Sequence, residues 1–421
     1  QVDAKTYGGA TALYNKKLLN TNLRWEQSQT FEVGLDIGFL QNRLSFILDF
    51  YSRRTKDLLT KQALPGYTGF SDIVTNMGTL RNSGFEAEVK ANIINKGGFT
   101  WDMTANITSV ANKIISLPYN NVENNRVGGY EVAAGKVDAD GKFPTKWIAG
   151  RQEGGKLGEL VGYRQQHVFK DWDDVKQHAN LRVDEVANLY GPGLADQINP
   201  ATGKTYKESS GWQPIEPGDA CWEDINGDNI INGYDRSVMG NIFPNVTGGF
   251  STTFGYKGLS LYARFDYALG HTLYNDLKAR SLGQYQGQFN IITDVKDMWS
   301  EANPNSDLTK FYYADQLAKK NITRSNNAST AADNNSSRYY EKGDYLALRE
   351  ITLSYQLPKS LISKAHLTEA SVYVTGQNLF YITGYDGVSP EPAVSTTYGR
   401  GIDNGRYPTP RTFLFGLSLT F

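Results

Sequence analysis

The chain is poor in the residues that build disulfides, thiolate metal clusters and catalytic dyads. Its 421 residues include one cysteine, Cys221, which excludes an internal disulfide and a thiolate cluster. No apolar run approaches the roughly 18 residues that a membrane-spanning helix needs. Lysine and arginine (43) nearly balance aspartate and glutamate (44), whereas a nucleic-acid-binding surface carries a basic excess. We therefore expect no nucleic-acid partner.

Catalytic patterns are also missing. The sequence shows no nucleophile elbow and no phosphate-binding loop. The four histidines lack the spacing of metal ligands; they are His167, His178, His271 and His366. Carboxylates alternate with apolar residues in the manner of a wetted strand face, as at Asp36, Glu86, Glu88 and Asp102. We expect the protein not to be an enzyme.

Alternating strands dominate what is present. At the C-terminus, Phe413, Phe415, Leu417, Leu419 and Phe421 occupy every second position, with Gly416, Ser418 and Thr420 between them. A period of two predicts β-strands with one apolar and one polar face. Similar alternation predicts strands at 31–39, 44–50, 85–93, 99–107, 250–256, 259–267, 351–357 and 372–374.

Two fold classes fit this alternation. One is a soluble antiparallel sandwich with one wet side, as in an adhesin or a glycan-binding domain. The other is a membrane barrel with lipid outside and water inside. Long predicted strands, connections that alternate between short and long, and aromatics near strand ends favour the barrel. We predict an all-β fold, a transmembrane antiparallel β-barrel with long structured extracellular loops.

Connection lengths predict the topology. Short turns at 41–42, 95–98, 257–258 and 358–367 belong to the periplasmic side, and long connections at 60–82, 110–143, 271–336 and 384–408 to the outside. The predicted strand at 99–108 runs outward and the one at 246–256 runs inward, so an even number of strands must cross between them. Two such strands are predicted at 144–152 and 156–169. The count becomes eleven, an odd number. We therefore expect the C-terminal half of a larger barrel domain, with an N-terminal part preceding Gln1 and with 413–421 as an edge strand.

The outer loops carry local signals of their own. We assign 170–245 to a large extracellular loop. Helical spacing of apolar residues predicts a helix at 172–190 and a short one at 293–301, while 1–22 is polar and turn-rich and predicts a loop. The Asn/Ser-rich stretch 321–337 is expected to be flexible. Four loop tryptophans could either stack on sugar rings or peptide side chains of a ligand, or pack the loops: Trp147, Trp172, Trp212 and Trp222.

One loop has the spacing of a calcium site. Counted from Asp224, side-chain oxygens fall at positions 1, 3, 5, 9 and 12, and a main-chain carbonyl is available at position 7. The predicted ligands are Asp224, Asn226, Asp228, Ile230 (through its carbonyl), Asn232 and Asp235. Asn229 replaces the usual turn glycine, which is acceptable because asparagine tolerates the left-handed conformation. The alternative is a polar turn that binds no ion. We expect a structural Ca²⁺.

Several motifs together resemble one family, the SusC/RagA-type TonB-linked outer-membrane transporters. The residues that carry the resemblance lie in the family's order and are 23–36 (LRWEQSQTFEVGLD), 51–58 (YSRRTKDL), 76–86 (NMGTLRNSGFE), 224–244, 343–350 (GDYLALRE), 376–380 (GQNLF) and 407–411 (YPTPR). Ala347 stands where the family usually has arginine.

The resemblance implies a barrel of about 22 strands with a plugged lumen, of which this chain would supply about half. The plug domain is not in this sequence. The resemblance also implies localisation in the Gram-negative outer membrane, a SusD-type surface lipoprotein, coupling to a TonB complex, and import of oligosaccharides or oligopeptides. Because no residue identifies the ligand, substrate-binding residues remain unassigned. We expect the imported nutrient to be an oligosaccharide or glycan. The alternatives are an oligopeptide importer of the same family and a passive porin or structural outer-membrane barrel.

Overall fold

The structure is a computed structural model that describes residues 2–7, 9–15, 17–284, 290–312, 335–391, 401–405 and 407–421. Strands dominate it. In chain order they are β1 Val2–Tyr7, β2 Ala10–Asn15, β3 Gln27–Phe39, β4 Leu44–Ala63, β5 Asp72–Lys96, β6 Phe99–Ser116, β7 Tyr130–Ala133, β8 Thr145–Ile148, β9 Glu159–Tyr163, β10 Gln165–Val168, β11 Val183–Asp184, β12 Leu189–Tyr190, β13 Gln213–Pro214, β14 Ala220–Trp222, β15 Ile230–Ile231, β16 Arg236–Asn241, β17 Val246–Tyr256, β18 Leu259–Leu269, β19 Thr272–Asn275, β20 Asn335–Ser336, β21 Tyr340–Lys342, β22 Tyr345–Gln356, β23 Glu369–Thr383, β24 Ile402–Asp403 and β25 Thr412–Thr420.

Among the residues that the structure describes, helices are few and short. The α-helices are α1 Trp172–Ala179, α2 Asp276–Ala279 and α3 Lys359–Ile362. A π-helical turn spans Arg280–Gln284. The 3₁₀ turns are Gly66–Thr68, Glu123–Asn125, Pro192–Leu194, Tyr206–Glu208, Gly233–Asp235, Thr293–Asp297, Ser337–Tyr339 and Ser363–Ala365. In the part of the chain that the structure describes, no helix has the length and apolarity to cross a membrane.

Within the described part of the chain, nine strands form one antiparallel sheet, in the order β25-β23-β22-β18-β17-β6-β5-β4-β3. The predicted eleven crossings are therefore wrong. The strands β6 and β17 pair directly, from Phe99↔Tyr256 to Ser109↔Val246. The expected pair at 144–152 and 156–169 is instead the short strands β8, β9 and β10, which pair with other loop strands. Each has four or five residues, fewer than the roughly 9–11 that cross a bilayer.

Several other predictions about the loops are wrong. Residues 1–22 include the hairpin of β1 and β2. The expected long connection at 60–82 is mostly strand, because β4 and β5 continue through it past irregular pairing around Leu58. The helix predicted for 172–190 ends at Ala179. The Asp184 carboxylate then accepts hydrogen bonds from the Val186 and Ala187 N–H groups and closes a turn instead. The helix predicted for 293–301 is the 3₁₀ turn Thr293–Asp297. Of the stretch 321–337, residues 321–334 lie outside the described residues.

The predicted alternation is confirmed in the large sheet, where apolar residues on one face pair across strands. Val33 lies opposite Phe50, and Phe50 opposite Phe85. Leu353 lies between Leu261 and Val374. Many of these side chains are exposed; they include Phe31, Val33, Leu35, Phe50, Leu353, Phe413, Phe415 and Leu417. An exposed apolar face this extensive suits contact with lipid tails.

Most of the buried core lies in the connections; within the sheet, Ala268, Tyr345 and Ala347 form one small buried cluster. One cluster, which we call the α1 cluster, comprises Phe169, Val175, Ala179, Ala187, Leu189, Ile215 and Cys221. A second joins Tyr163, Ala220, Trp222 and Ile231. A third lies after β18 and includes Tyr274, Leu282 and Met298. The predicted structured loops are thus packed units with their own cores, although the 170–245 boundary itself remains a prediction.

Candidate functional site

The predicted calcium-type loop lies between β14 and β16. Its hydrophobic residue Ile231 is fully buried, and β15 pairs in parallel with β11, so the loop is fixed against the α1 region. Gly227 and Asn229 both adopt positive φ, of 76° and 63°. The expectation that Asn229 replaces the turn glycine in a left-handed conformation is confirmed.

Asp224 fixes the beginning of the loop. Its Oδ1 accepts a hydrogen bond from Gly227 N (2.7 Å) and its Oδ2 one from Asn229 N (2.9 Å). Lys136 Nζ donates to the Asp224 carbonyl at 3.2 Å, and Val137 N donates to the Asn226 carbonyl. The loop is thus connected to the segment that follows β7.

Asp235 joins the two ends of the loop. Its Oδ1 accepts from Ile225 N and its Oδ2 from Asn232 N, both at 2.9 Å, and the residue is fully buried. Burial raises the pKa of Asp235 to about 6; the two backbone hydrogen bonds oppose this rise, while the charges of Asp224 and Asp228 add to it. Three carboxylates therefore lie close enough to repel one another, which is the arrangement that a bound cation relieves.

The remaining predicted ligands lie in the same loop and make local hydrogen bonds. Asn226 is fully buried, and its Nδ2 donates to Asp228 Oδ2 at 2.8 Å. Asp228 Oδ1 accepts from Ile230 N at 2.8 Å, and Asn232 Oδ1 accepts from Tyr234 N at 2.9 Å. The loop is thus pre-formed by hydrogen bonds, and its oxygens are of the type that Ca²⁺ prefers.

A second polar site lies on the inner wall of the sheet. A cavity of about 580 Å³ is lined by residues of β6, β17, β18 and β22, among them Thr104, Asn106, Ser251, Arg264, Tyr267 and Arg349. The Arg349 guanidinium binds both Asp266 oxygens and a Glu391 oxygen, and donates to Tyr381 Oη at 2.9 Å. Arg349 thus connects β18, β22, β23 and the connection after β23 at this wall.

Three of the four loop tryptophans pack against neighbouring side chains. Trp222 is 3% exposed. Trp212 meets the Tyr206 ring edge-on at 5.3 Å, and the Arg126 guanidinium covers the Trp147 ring at 3.6 Å. Trp172, at the start of α1, is 48% exposed and therefore has a face accessible to a ligand.

Sequence reasoning missed one cluster. His167 on β10 meets Asp174 and His178 on α1, with their nitrogen and oxygen atoms all within 4.8 Å of one another. The histidines lack metal-ligand spacing along the sequence, but the fold brings these two together with Asp174. The detectable signal was the spacing of Asp174 and His178, which puts both on one face of a helix. The approach of His167 depends on tertiary packing.

In this cluster the pKa of Asp174 lies below its ordinary value. Burial acts to raise its pKa, but hydrogen bonds from the Lys170 N–H and from the imidazoles of His178 and His167 lower it overall.

The comparisons with known sequences match TonB-dependent receptors. A family model described as "TonB dependent receptor-like, beta-barrel" matches residues 3–184. The chain is 28% identical over 408 residues to TonB-dependent receptor P3 of Formosa agariphila, covering 96% of this chain and 35% of that protein. It is 28% identical over 411 residues to TonB-dependent receptor SusC of Bacteroides thetaiotaomicron, covering 96% and 33%. The chain thus spans about a third of the length of these curated relatives.

Solved structures agree on the fold. The structure described as the RagAB peptide transporter superposes with a TM-score of 0.66 at 22% identity, covering 100% of this chain and 38% of that one. The RagAB peptide importer in the "open-open" state gives 0.67 at 21% identity, with the same coverage. At this identity the superposition establishes the similarity of the folds.

Proposed function

We propose that this chain, part of the β-barrel of a SusC/RagA-type TonB-dependent receptor in the outer membrane, forms one side of an import channel for a large nutrient. The supporting observation is the nine-stranded sheet, with an exposed apolar face on one side and a polar wall on the other. Import proceeds by binding, TonB-driven opening and release to the periplasm, without covalent chemistry.

We assign an oligosaccharide as the first substrate class. The cavity between β6, β17, β18 and β22 presents amide and hydroxyl groups, including Thr104, Asn106 and Ser251, which can exchange hydrogen bonds with sugar hydroxyls. The exposed Trp172 ring can stack on a sugar face. Oligopeptides are the second class, because proteins whose structures are described as peptide transporters share this fold.

Uptake by cells distinguishes these substrates and the transport mode. We expect a strain lacking the gene to lose uptake of a labelled oligosaccharide while oligopeptide uptake continues, and a strain lacking TonB to show the same defect. Uptake that persists without TonB would identify a passive porin. Loss of oligopeptide uptake instead would assign the second substrate class. Trp172→Ala should weaken oligosaccharide uptake, with the packed Trp212→Ala as its matched control.

The proposed partner is a SusD-type lipoprotein that covers the extracellular loops. The packed loop cores provide a stable surface for such a lid. We expect a surface lipoprotein to copurify with the full-length protein from detergent-solubilised outer membranes. Purification without any lipoprotein under mild detergent would contradict this part of the proposal.

We also propose that the 224–235 loop binds a structural Ca²⁺. Its three mutually repelling carboxylates support a cation at this position. Millimolar Ca²⁺ should bind in equilibrium dialysis and slow cleavage of this loop by protease, and Asp228→Ala should abolish both effects. Asp196→Ala, an exposed acid of the same connection, is the matched control and should retain them. The proposal fails if the wild-type protein takes up no Ca²⁺.

A further inference from the structure

The second metal candidate is the cluster of His167, Asp174 and His178, which is chemically different from the oxygen-only loop. Two imidazoles and one carboxylate are donors that suit Zn²⁺ and neighbouring transition metals rather than Ca²⁺. We propose that these three side chains bind a divalent transition-metal ion of the Zn²⁺ type, with water in the fourth position.

The donor atoms already lie near the spacing that a tetrahedral ion requires. His167 Nε2 is 3.2 Å and His178 Nδ1 is 2.7 Å from Asp174 Oδ1. Ligand atoms about 2.0–2.1 Å from Zn²⁺ at tetrahedral angles are separated by roughly 3.3 Å. To admit an ion, the exposed His178 ring must rotate so that its Nδ1 moves away from Asp174 Oδ1 and from the Asp174 carbonyl, which lies at 3.2 Å.

The strand β10 and the helix α1, which carry the three ligands, are each held in place by packing. His167 lies on β10, which pairs with β14 through His167↔Cys221. Asp174 and His178 lie on α1, which packs its Val175 and Ala179 into the α1 cluster, where they are 0% and 1% exposed. The two elements cannot separate without exposing that core, so the ligands are pre-positioned.

The carboxylate is oriented by a further contact. Lys170 N donates to Asp174 Oδ2 at 2.9 Å, which directs Oδ1 toward the histidines. An outer hydrogen bond of this kind fixes a metal ligand in its binding orientation. The exposed acids Asp171 and Asp173 add negative charge nearby, and Lys170 and Lys176 partly offset it.

Solvent can reach the site. The side chains of His167 and His178 are 32% and 43% exposed, whereas that of Asp174 is 13% exposed. An ion can therefore enter from the medium and keep a water ligand. Bound there, it would join β10 to α1 within the connection between β6 and β17, and so stabilise that packed loop unit.

The competing explanation is that Asp174 only accepts hydrogen bonds from the two imidazoles. Direct metal titration separates the two explanations. The full-length protein in detergent, without a polyhistidine tag, is titrated with Zn²⁺ by calorimetry and with Co²⁺ by visible absorption. We expect one tightly bound ion per chain and the visible bands of tetrahedral Co²⁺.

Matched variants locate the ion. His178→Ala and His167→Ala should each weaken Zn²⁺ binding by at least about tenfold. His366→Ala, an exposed histidine in the turn between β22 and β23, should leave it unchanged. Asp228→Ala, in the calcium-type loop, should also retain Zn²⁺ binding, and excess Ca²⁺ should not displace the ion.

Two results would overturn the proposal: no Zn²⁺ bound by the wild-type protein at millimolar concentration, or unchanged affinity in both cluster variants. Unaltered heat-dependent gel migration of each variant establishes that loss of binding is not loss of folding. In the first case the cluster is a hydrogen-bonded bridge, and in the second the ion binds elsewhere.

Discussion

At the scale of single residues, the family-like motifs turn out to satisfy backbone groups where the strands are irregular. Asn76 is the clearest case. Its Oδ1 accepts from Arg24 N at 2.7 Å, and its Nδ2 donates to the carbonyls of Arg24 and Asp57 at 2.9 and 2.8 Å. Asp57 has a positive φ of 57° beside the irregular pairing of β4 with β5. Nearby, Glu26 accepts from Leu59 N at 2.8 Å. The side chains thus replace missing ladder bonds.

This role predicts the effect of Asn76→Ala. The substitution removes three hydrogen bonds to backbone groups and should lower the free energy of unfolding by about 1–3 kcal/mol. Urea unfolding in detergent micelles measures it. Asn82→Ala is the matched control, since Asn82 lies on the same strand and lines a polar cavity on the surface of the sheet. Equal destabilisation by both substitutions would contradict the role assigned to Asn76.

At the scale of strands, three cross-strand pairs place a tyrosine ring over a glycine. They are Tyr51 over Gly84, Tyr267 over Gly248 and Tyr373 over Gly416. A Cβ added at Gly84 would lie 2.5 Å from Tyr51 Oη. Such rings cover the gap that a strand glycine leaves and help to fix the register.

A double-mutant cycle tests this pairing. Gly84→Ala should destabilise the barrel by about 1–3 kcal/mol, because the new methyl group displaces the Tyr51 ring. Adding Tyr51→Ala should restore part of that loss, so the two effects are not additive. Gly66→Ala is the control, since a Cβ there meets nothing within 4 Å. Additive effects in the cycle would show that the ring and the glycine do not interact.

The strands also show which features could be predicted from the sequence. Alternation predicted the lipid and water faces of the nine long strands, and the motif resemblance to SusC/RagA-type receptors is confirmed by the matches to TonB-dependent receptors. The two extra crossings predicted at 144–169 are wrong because short apolar runs do not reveal whether they pair within a sheet or within a loop.

The sequence does not reveal the His167 cluster, because packing between β10 and α1 brings its three residues together. The calcium-type spacing of residues 224–235 can be recognised in the sequence. Ion binding, however, depends on the positions of the carboxylates, which the spacing does not determine.

At the scale of the whole molecule, the predicted edge strand is confirmed. Among the described residues, β25 pairs with β23 and lies at one edge of the sheet, while β3 lies at the other. Rows of paired residues cross the sheet between these edges. One row is apolar, with Leu261, Leu353, Val374 and Phe415, and the neighbouring row has Ser260, Ser354, Tyr373 and Gly416. In the proposed outer-membrane location, the first row faces lipid and the second faces the lumen.

Two adjacent positions test that orientation. Leu353→Arg places a charge on the apolar face and should lower the stability of the membrane-inserted protein by up to about 4 kcal/mol, depending on depth. Ser354→Arg places the same charge on the opposite face, where water solvates it, and should change stability little. Denaturant titration of the protein in lipid vesicles compares them. Because the two residues share one strand and one depth, a larger effect at Ser354 than at Leu353 would reverse the assignment of lipid and lumen faces for the whole sheet.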